Sequence, residues 1–254
     1  MPMLDGTTRF SSKVDNYRKY RPTYPAEVID LLRHECGLTS EAIVADIAYG
    51  TGLFTKLLLE TGSRVIGVEP NAAMRQAGEE YLAGFKNFES VAGTAEATTL
   101  GDHSVDLVTA AQAAHWFDVK KARQEFTRIL KPERYAVLLW NKRSLDATPF
   151  ASAYEQVLLD YATDYKEIRH DEKEEAIALE FFGDKGKYKV FPWRQEFDYE
   201  GAEGRMLSSS YVPQADHPRY GAMLADLKRV FDKHRVKGQI RFDYETQVFY
   251  GQIS

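Results

Sequence analysis

From residue 26 to residue 140, short apolar runs alternate with stretches in which apolar residues recur every three or four positions. Val28, Ile29, Leu31 and Leu32 follow Pro25 at helical spacing, and proline suits the opening turn of a helix. Ile43-Val44-Ala45-Asp46-Ile47 is a short apolar run ending at a glycine-containing turn, as in a parallel strand buried on both faces. Leu53, Phe54, Leu57 and Leu58 return to helical spacing, and Gly62 marks a stop. Residues 65–69 predict a second strand closed by an acid, and Pro70-Asn71 turns into a helix from Ala72 to Leu82. Residues 88–92 predict a third strand and residues 105–110 a fourth. Val119, Ala122, Phe126, Ile129 and Leu130 share one helical face before Lys131-Pro132 ends it, and residues 135–140 predict a fifth strand. Such alternation predicts a parallel sheet covered by helices on both faces.

The rhythm changes after Asn141. Residues 150–180 are expected to be helical and carry the charge run KEIRHDEKEE, a solvated face. Residues 188–199 predict a strand whose alternation shifts phase near Pro192, the mark of a bulge or an edge position. Met223, Leu224, Leu227, Val230 and Phe231 form an amphipathic stripe. Ile240, Phe242, Tyr244, Thr246, Val248 and Tyr250 alternate with their neighbours, as in a half-buried antiparallel strand. Ahead of the first helix, Tyr17, Tyr20 and Tyr24 are interleaved with Arg18, Lys19 and Arg21. No internal repeat or long linker divides the 254 residues.

Composition narrows the function classes. A net charge of −5 provides no electrostatic footprint for nucleic acid or an anionic membrane. Cys36 is the single cysteine, so no internal disulfide forms, and its apolar helical setting suits a packed thiol. MPMLDGTTRF lacks the basic start and apolar stretch of a signal peptide, and no apolar run approaches the roughly 20 residues of a membrane span. The cytoplasm is the expected compartment. The six histidines show no metal-ligand spacing, so no metal is expected.

Candidate chemistry centres on Asp46-Ile47-Ala48-Tyr49-Gly50-Thr51-Gly52, between the first strand and its helix. Glycines there allow a tight turn and close approach of a ligand, and the helix start offers free amides. Glu69 ends the next strand, where a Rossmann-like site places a carboxylate for ribose hydroxyls. Together they point to an adenosine-containing cofactor. A dinucleotide fingerprint needs a third glycine where Thr55 stands, and the Gly-Lys-Ser/Thr ending of a P-loop is missing. Asp46 suits the cationic amino-acid end of S-adenosylmethionine (SAM) better than a pyrophosphate.

VADIAYGTG, VIGVEPNAAM, VAGTAEATTL, SVDLVTAAQAAHWFD and FTRILKP resemble the successive motifs of class I SAM-dependent methyltransferases. DNYRKYRPTYP and AAQAAHWFD are most similar to the small-molecule branch with a type 11 methyltransferase domain, which includes trans-aconitate methyltransferase-like proteins. The resemblance implies an α/β fold: a Rossmann-like, mostly parallel seven-stranded sheet with helices on both faces, a C-terminal antiparallel strand pair and a helical lid insertion. One domain over residues 1–254 is expected, with a core of about 26–140 plus 187–254 and lid elements 1–25 and 141–186. SAM is the implied cofactor and S-adenosylhomocysteine its product. By position, Asp46, Ala48, Tyr49, Gly50 and Gly52 would surround the methionine part of SAM, Glu69 the ribose, Pro70 and Met74 the adenine, and Ala95 and Glu96 its edge. Gln112 would lie near the transferable methyl group.

Two positions depart from the family pattern. Ala48 replaces the first glycine of the turn beside the bulky Tyr49, whose ring is expected to shape the pocket or partly fill it. Thr94 stands where an acid often meets the adenine. His115, just past the fourth strand at the ligand-binding edge, is the candidate general base for an acceptor that must lose a proton, or else a structural histidine beside Trp116. Tyr17, Tyr20, Arg21 and Trp116 are candidates for the lid or the substrate pocket. The expected acceptor is a small molecule bearing a carboxylate, hydroxyl or amine, with no nucleic acid or membrane partner. The alternatives are a non-catalytic SAM- or nucleoside-binding protein and a nucleotide-dependent oxidoreductase.

Overall fold

The structure, a computed structural model, describes residues 19–163, 165 and 173–253. Seven strands form one sheet in the order β3-β2-β1-β4-β5-β7-β6. They are β1 (Ile43–Ile47), β2 (Arg64–Val68), β3 (Phe88–Val91), β4 (Val105–Ala111), β5 (Leu130–Arg143), β6 (Lys187–Phe197) and β7 (Ile240–Gln252). The first five are parallel, and β7 runs antiparallel to both β5 and β6. This is the expected mostly parallel seven-stranded sheet with its antiparallel C-terminal pair.

Strand alternation divides the core. Ala45, Ile47, Val108, Ala110, Leu138 and Trp140 face α4 (Val119–Ile129) and α6 (Lys173–Phe182). Val44, Leu107, Val137 and Leu139 face α1 (Ala26–Glu35), α2 (Leu53–Leu59) and the Leu82 end of α3 (Ala72–Leu82). A third cluster joins α5 (Pro149–Tyr161), α7 (Tyr199–Leu207) and α8 (Tyr220–His234) to Ile240, Phe242 and Tyr244 of β7. Tyr154, Phe242 and Phe181 are among the largest fully buried side chains, so the C-terminal half has substantial apolar packing of its own.

Two boundaries differ notably from expectation, and the alternatives at Pro192 are decided. The α4 helix ends at Ile129, but β5 starts at once with Leu130 rather than at 135. Its pairing jumps from Val105↔Leu130 to Leu107↔Tyr135, so residues 131–134 bulge out, with Glu133 at φ 60°. Lys131 and Arg134 of that bulge reach Asp106 at 3.0 and 3.5 Å, which explains a strand that passes through Pro132. Pro192 lies on the edge strand β6 in an unbroken register with β7, so the edge and not a bulge accounts for it. Tyr199 opens α7 rather than closing β6, because the Asp198 carboxylate accepts from Gly201 N and caps the helix.

Order reverses between β1 and β4. β2 and β3 lie to one side of β1, and β4 and β5 to the other. The carboxyl ends of β1 and β4 therefore border the topological switch point, where open α/β sheets hold their ligands.

Candidate functional site

Asp46 is the penultimate residue of β1 at this switch point and is only 1% exposed. Its register partner on β4 is Thr109, whose hydroxyl donates to Oδ1 at 2.8 Å, while Thr55 Oγ1 of α2 donates to Oδ2 at 2.7 Å. Burial pushes its pKa from 3.8 up to about 6, against the two hydroxyls, and the nearby Glu69 adds to the rise. A threonine within the buried apolar run of β4 was the sequence signal for this partner; sequence reasoning did not single it out.

After β1 the chain turns sharply. Ala48, Gly50 and Gly52 all have positive φ, at 54°, 59° and 85°. Ala48 N donates to Val68 O at 2.7 Å, tying the turn to the end of β2. A non-glycine residue held in that region costs about 1–2 kcal/mol, so Ala48 stores strain beside the site. Glu69 bridges the two loops: Gly50 N donates to Oε2 at 3.0 Å and Asn71 N to Oε1 at 2.9 Å. Burial raises its pKa, and those two amides oppose the rise. Asn71 also caps α3 by accepting from Met74 N, and Met74 lies against Gly50. Asp46, the turn of residues 48–52, Glu69 and Met74 thus border the candidate crevice at the switch point, with Pro70 next to Glu69 in the chain. It holds two carboxylates that burial makes reluctant to ionise, and the Thr51 hydroxyl, buried without a hydrogen-bond partner among the described residues. Such a crevice suits a cationic ligand with hydroxyl groups and resists a pyrophosphate.

Tyr49 corrects the sequence expectation. Its ring neither fills nor shapes the crevice; it turns away beneath α3. A Cβ on Gly67 of β2 would lie 2.6 Å from Tyr49 Cδ1, and one on Gly78 of α3 would lie 2.4 Å from Cε2. The phenol donates to Arg75 O at 3.1 Å and pairs with Ser90 Oγ at 2.9 Å, and the ring meets Phe88 edge-on at 5.6 Å. The two glycines make the room. Only the backbone of Tyr49 belongs to the turn.

Across the switch point, Gln112 also has a positive φ, 59°. Its Oε1 accepts from Asn141 N at 2.8 Å. Asn141 in turn donates to Thr23 O at 3.0 Å and accepts from Thr246 Oγ1 at 2.6 Å, so it joins β4, β5, β7 and the segment before α1. His115 and Trp116 lie in a single 3-10 turn, half-buried, with ring centroids 5.0 Å apart. The Trp140 indole donates to His115 Nδ1 at 3.4 Å. In the neutral ring this places the remaining proton on Nε2.

Ala95 is buried in the core on the α4 face, and Glu96 accepts from the amide of Asp118, the α4 cap. Tyr20 and Arg21 engage α7: the Tyr20 hydroxyl donates to Glu200 at 3.0 Å, its ring covers Gly204, and Arg21 donates to Ser208 O at 3.1 Å. Tyr17 lies outside the described residues. No helix among the described residues is long and apolar enough to cross a membrane.

Residues 45–138 match the family model described as a methyltransferase domain. An uncharacterized methyltransferase-like protein of Schizosaccharomyces pombe is 29% identical over 244 residues, covering 94% of this chain and 93% of its own length. An uncharacterized methyltransferase of Mycobacterium tuberculosis is 37% identical over 139 residues, spanning 55% of this chain and 54% of the relative. Among solved structures, a putative type II methyltransferase from Anaeromyxobacter dehalogenans superposes with a TM-score of 0.68 at 20% identity, covering 92% of this chain and 98% of its own. A putative methyltransferase from an antibiotic biosynthesis pathway of Anabaena variabilis gives 0.61 at 22% identity, covering 91% and 98%. These two structural likenesses show the fold.

Proposed function

We propose that this chain, a SAM-dependent methyltransferase, holds its cofactor in the switch-point crevice and methylates a small-molecule acceptor. The observation that carries the reading is the convergence of Asp46 and Glu69 on the Ala48–Gly52 turn. Glu69 holds the ribose hydroxyls with its carboxylate, already oriented by the amides of Gly50 and Asn71. Asp46 balances the cationic amino-acid end, Pro70 and Met74 flank the adenine, Ala95 and Glu96 border its edge, and Gln112 stands near the methyl group. The turn amides and Thr51 supply the remaining polar partners. When bound, SAM supplies an electrophilic methyl group on a sulfonium leaving group. The chain's own task is to align the acceptor and exclude water, and alignment alone contributes several kcal/mol.

His115 and Trp116 stand at the acceptor side of the crevice. With Nδ1 occupied by the Trp140 indole, the neutral imidazole presents an N–H at Nε2, which orients an acceptor oxygen rather than removing its proton. His115→Asn is expected to lower kcat about tenfold or more with SAM affinity unchanged, and wild type and variant are expected to share one pH–rate shape. A rising limb through a histidine-like pKa, present in wild type and lost in the variant, would make His115 the general base instead.

A SAM-dependent screen of carboxylic acids, phenols and amines tests the whole reading. Turnover of at least one class is the expected result. SAM binding with no turnover on any class would leave a SAM-binding protein in place of an enzyme acting on small molecules.

A further inference from the structure

The face of β5 that packs on α1 and α2 pairs across to β7 as Val137↔Tyr250, Leu139↔Val248 and Asn141↔Thr246. The apolar stripe thus turns polar at its last step, where the strand reaches the switch point. Asn141 is 8% exposed and Thr246 is fully buried. Apolar residues of similar volume would continue the stripe there without the cost of burying an amide and a hydroxyl. Packing therefore does not require the polar pair, and the partners of Asn141 give it another task.

Asn141 holds two parts of the chain at once. The Thr246 hydroxyl donates to its Oδ1 at 2.6 Å, which leaves Nδ2 to donate to Thr23 O at 3.0 Å. Thr23 belongs to the segment that runs from α7, where Tyr20 and Arg21 are bonded, to α2, where Tyr24 meets Phe54 edge-on at 4.9 Å. Phe54 is the second residue of α2, directly after the Ala48–Gly52 turn. The Asn141 peptide is turned toward β4. Ala111↔Leu139 is the last pair of the β4–β5 ladder, and Gln112 N still donates to Leu139 O at 2.8 Å. A parallel ladder carried one step further would have Asn141 N donate to the main-chain carbonyl of Gln112. Gln112 turns off at φ 59° instead, and its own side chain takes that place. Its Oε1 accepts from Asn141 N at 2.8 Å and its Nε2 donates to Asn141 O at 3.4 Å. The main-chain carbonyl is thereby released from the ladder at the border of the crevice, and this clamp on Asn141 helps to hold the strained backbone angle.

We infer that Asn141, fixed by Thr246, is a positioning residue for methyl transfer. Its peptide sets the direction in which Gln112 faces the crevice, and its side chain fastens residues 20–24 across the same end of the sheet. One buried residue thus couples the seating of that segment to the geometry around the transferable methyl group. The inference rests on the reading above, in which SAM occupies the crevice with its methyl group near Gln112, and adds the residue that holds both sides. Nothing local in the sequence marks Asn141, because Thr23, Gln112 and Thr246 are 118, 29 and 105 residues away.

The test uses the full chain and two probes: the dissociation rate of S-adenosylhomocysteine, and the magnetic resonance of an isotope-labelled methyl group on bound SAM. Asn141→Leu combined with Thr246→Val continues the apolar stripe and is expected to melt within a few degrees of wild type. Dissociation from this paired variant is expected to be about tenfold faster or more, the equivalent of one lost hydrogen bond. Its methyl resonance is expected to move toward that of free SAM. Asn141→Asp keeps the shape and the Thr246 bond, loses the donor to Thr23 O, and is expected to speed dissociation as well. Wild-type dissociation from either variant in its folded state would overturn the inference and leave Asn141 a structural anchor. So would a methyl resonance that moves in Gln112→Ala yet keeps its wild-type position in the paired variant. A resonance unmoved by Gln112→Ala would instead strike the place given to Gln112 in the cofactor reading, so the two failures are distinguishable.

Discussion

Replacing Tyr49 with serine is expected to destabilise the protein by about 3–5 kcal/mol, the range for removing a large buried aromatic side chain. For a chain of this size that lowers the melting temperature by roughly 6–20 °C. The ring sits between the backbones of Gly67 and Gly78 and against Phe88, and its hydroxyl is held by Arg75 O and Ser90. Serine would leave a void beneath α3 and remove the phenol's hydrogen bonds to Arg75 O and Ser90 Oγ. The same geometry predicts a coupling. Gly67→Ala puts a methyl group 2.6 Å from the Tyr49 ring and is expected to be severely destabilising in the wild type. In the Tyr49→Ser background the same change is expected to cost much less, with only Phe88 Cε2 at 3.0 Å left to give way, a non-additivity expected of residues in contact. Thermal melts of the four proteins check both statements. A Tyr49→Ser protein with wild-type stability and tighter SAM binding would return the ring to the crevice.

Asp46 gives the second large effect, and its sign depends on pH. Its folded-state pKa of about 6 lies above the ordinary 3.8 because burial penalises the carboxylate. The neutral form is therefore favoured by folding. That stability is complete below the ordinary pKa and is lost as pH rises through about 6. A shift of this size corresponds to about 3 kcal/mol at most. Asp46→Asn keeps the shape and can still bond the hydroxyls of Thr55 and Thr109. Above pH 6 the ligand-free variant is expected to be the more stable protein, with the difference vanishing near pH 4. Cofactor binding is expected to move the other way. A cationic amino-acid end stabilises ionised Asp46, so wild-type SAM affinity should rise with pH through about 6. In Asp46→Asn that rise should be absent and affinity at pH 7.5 lower by about tenfold or more. Paired melts and titrations between pH 4.5 and 8 measure both. A variant less stable than wild type at pH 8, with undiminished SAM affinity, would contradict the role given to the buried carboxylate.

Much of this architecture was legible along the chain because parallel strands buried on both faces leave unbroken apolar runs. Ile43–Ile47 emerged with its bounds intact, and so did the helix Ala72–Leu82, which follows a Pro-Asn turn whose Asn71 proves to be its cap. The β5 start was hidden because Pro132 reads locally as a stop, whereas the strand begins before it and bulges around an acid, Asp106, supplied by β4. The spacing of Asp46, the glycine turn and Glu69 marked the crevice, since that spacing is local to one strand–turn–helix unit and the next strand end. The direction of the Tyr49 ring depends on Gly67 and Gly78, glycines without a signal until the helix is laid over the sheet. The tautomer of His115 depends on Trp140, 25 residues away on a neighbouring strand. Local pattern therefore marked the candidate site, while tertiary contacts determined where its side chains turn.

The central claim is that the Asp46–Glu69 crevice holds SAM. Calorimetric titration of SAM into the wild type and Glu69→Ala, each melted in parallel, tests it most directly. Glu69 would accept charge-assisted hydrogen bonds from the ribose hydroxyls worth about 1–3 kcal/mol, so the variant should bind roughly 5- to 150-fold more weakly while melting within a few degrees of wild type. Equal SAM affinity in a folded Glu69→Ala protein would contradict the account.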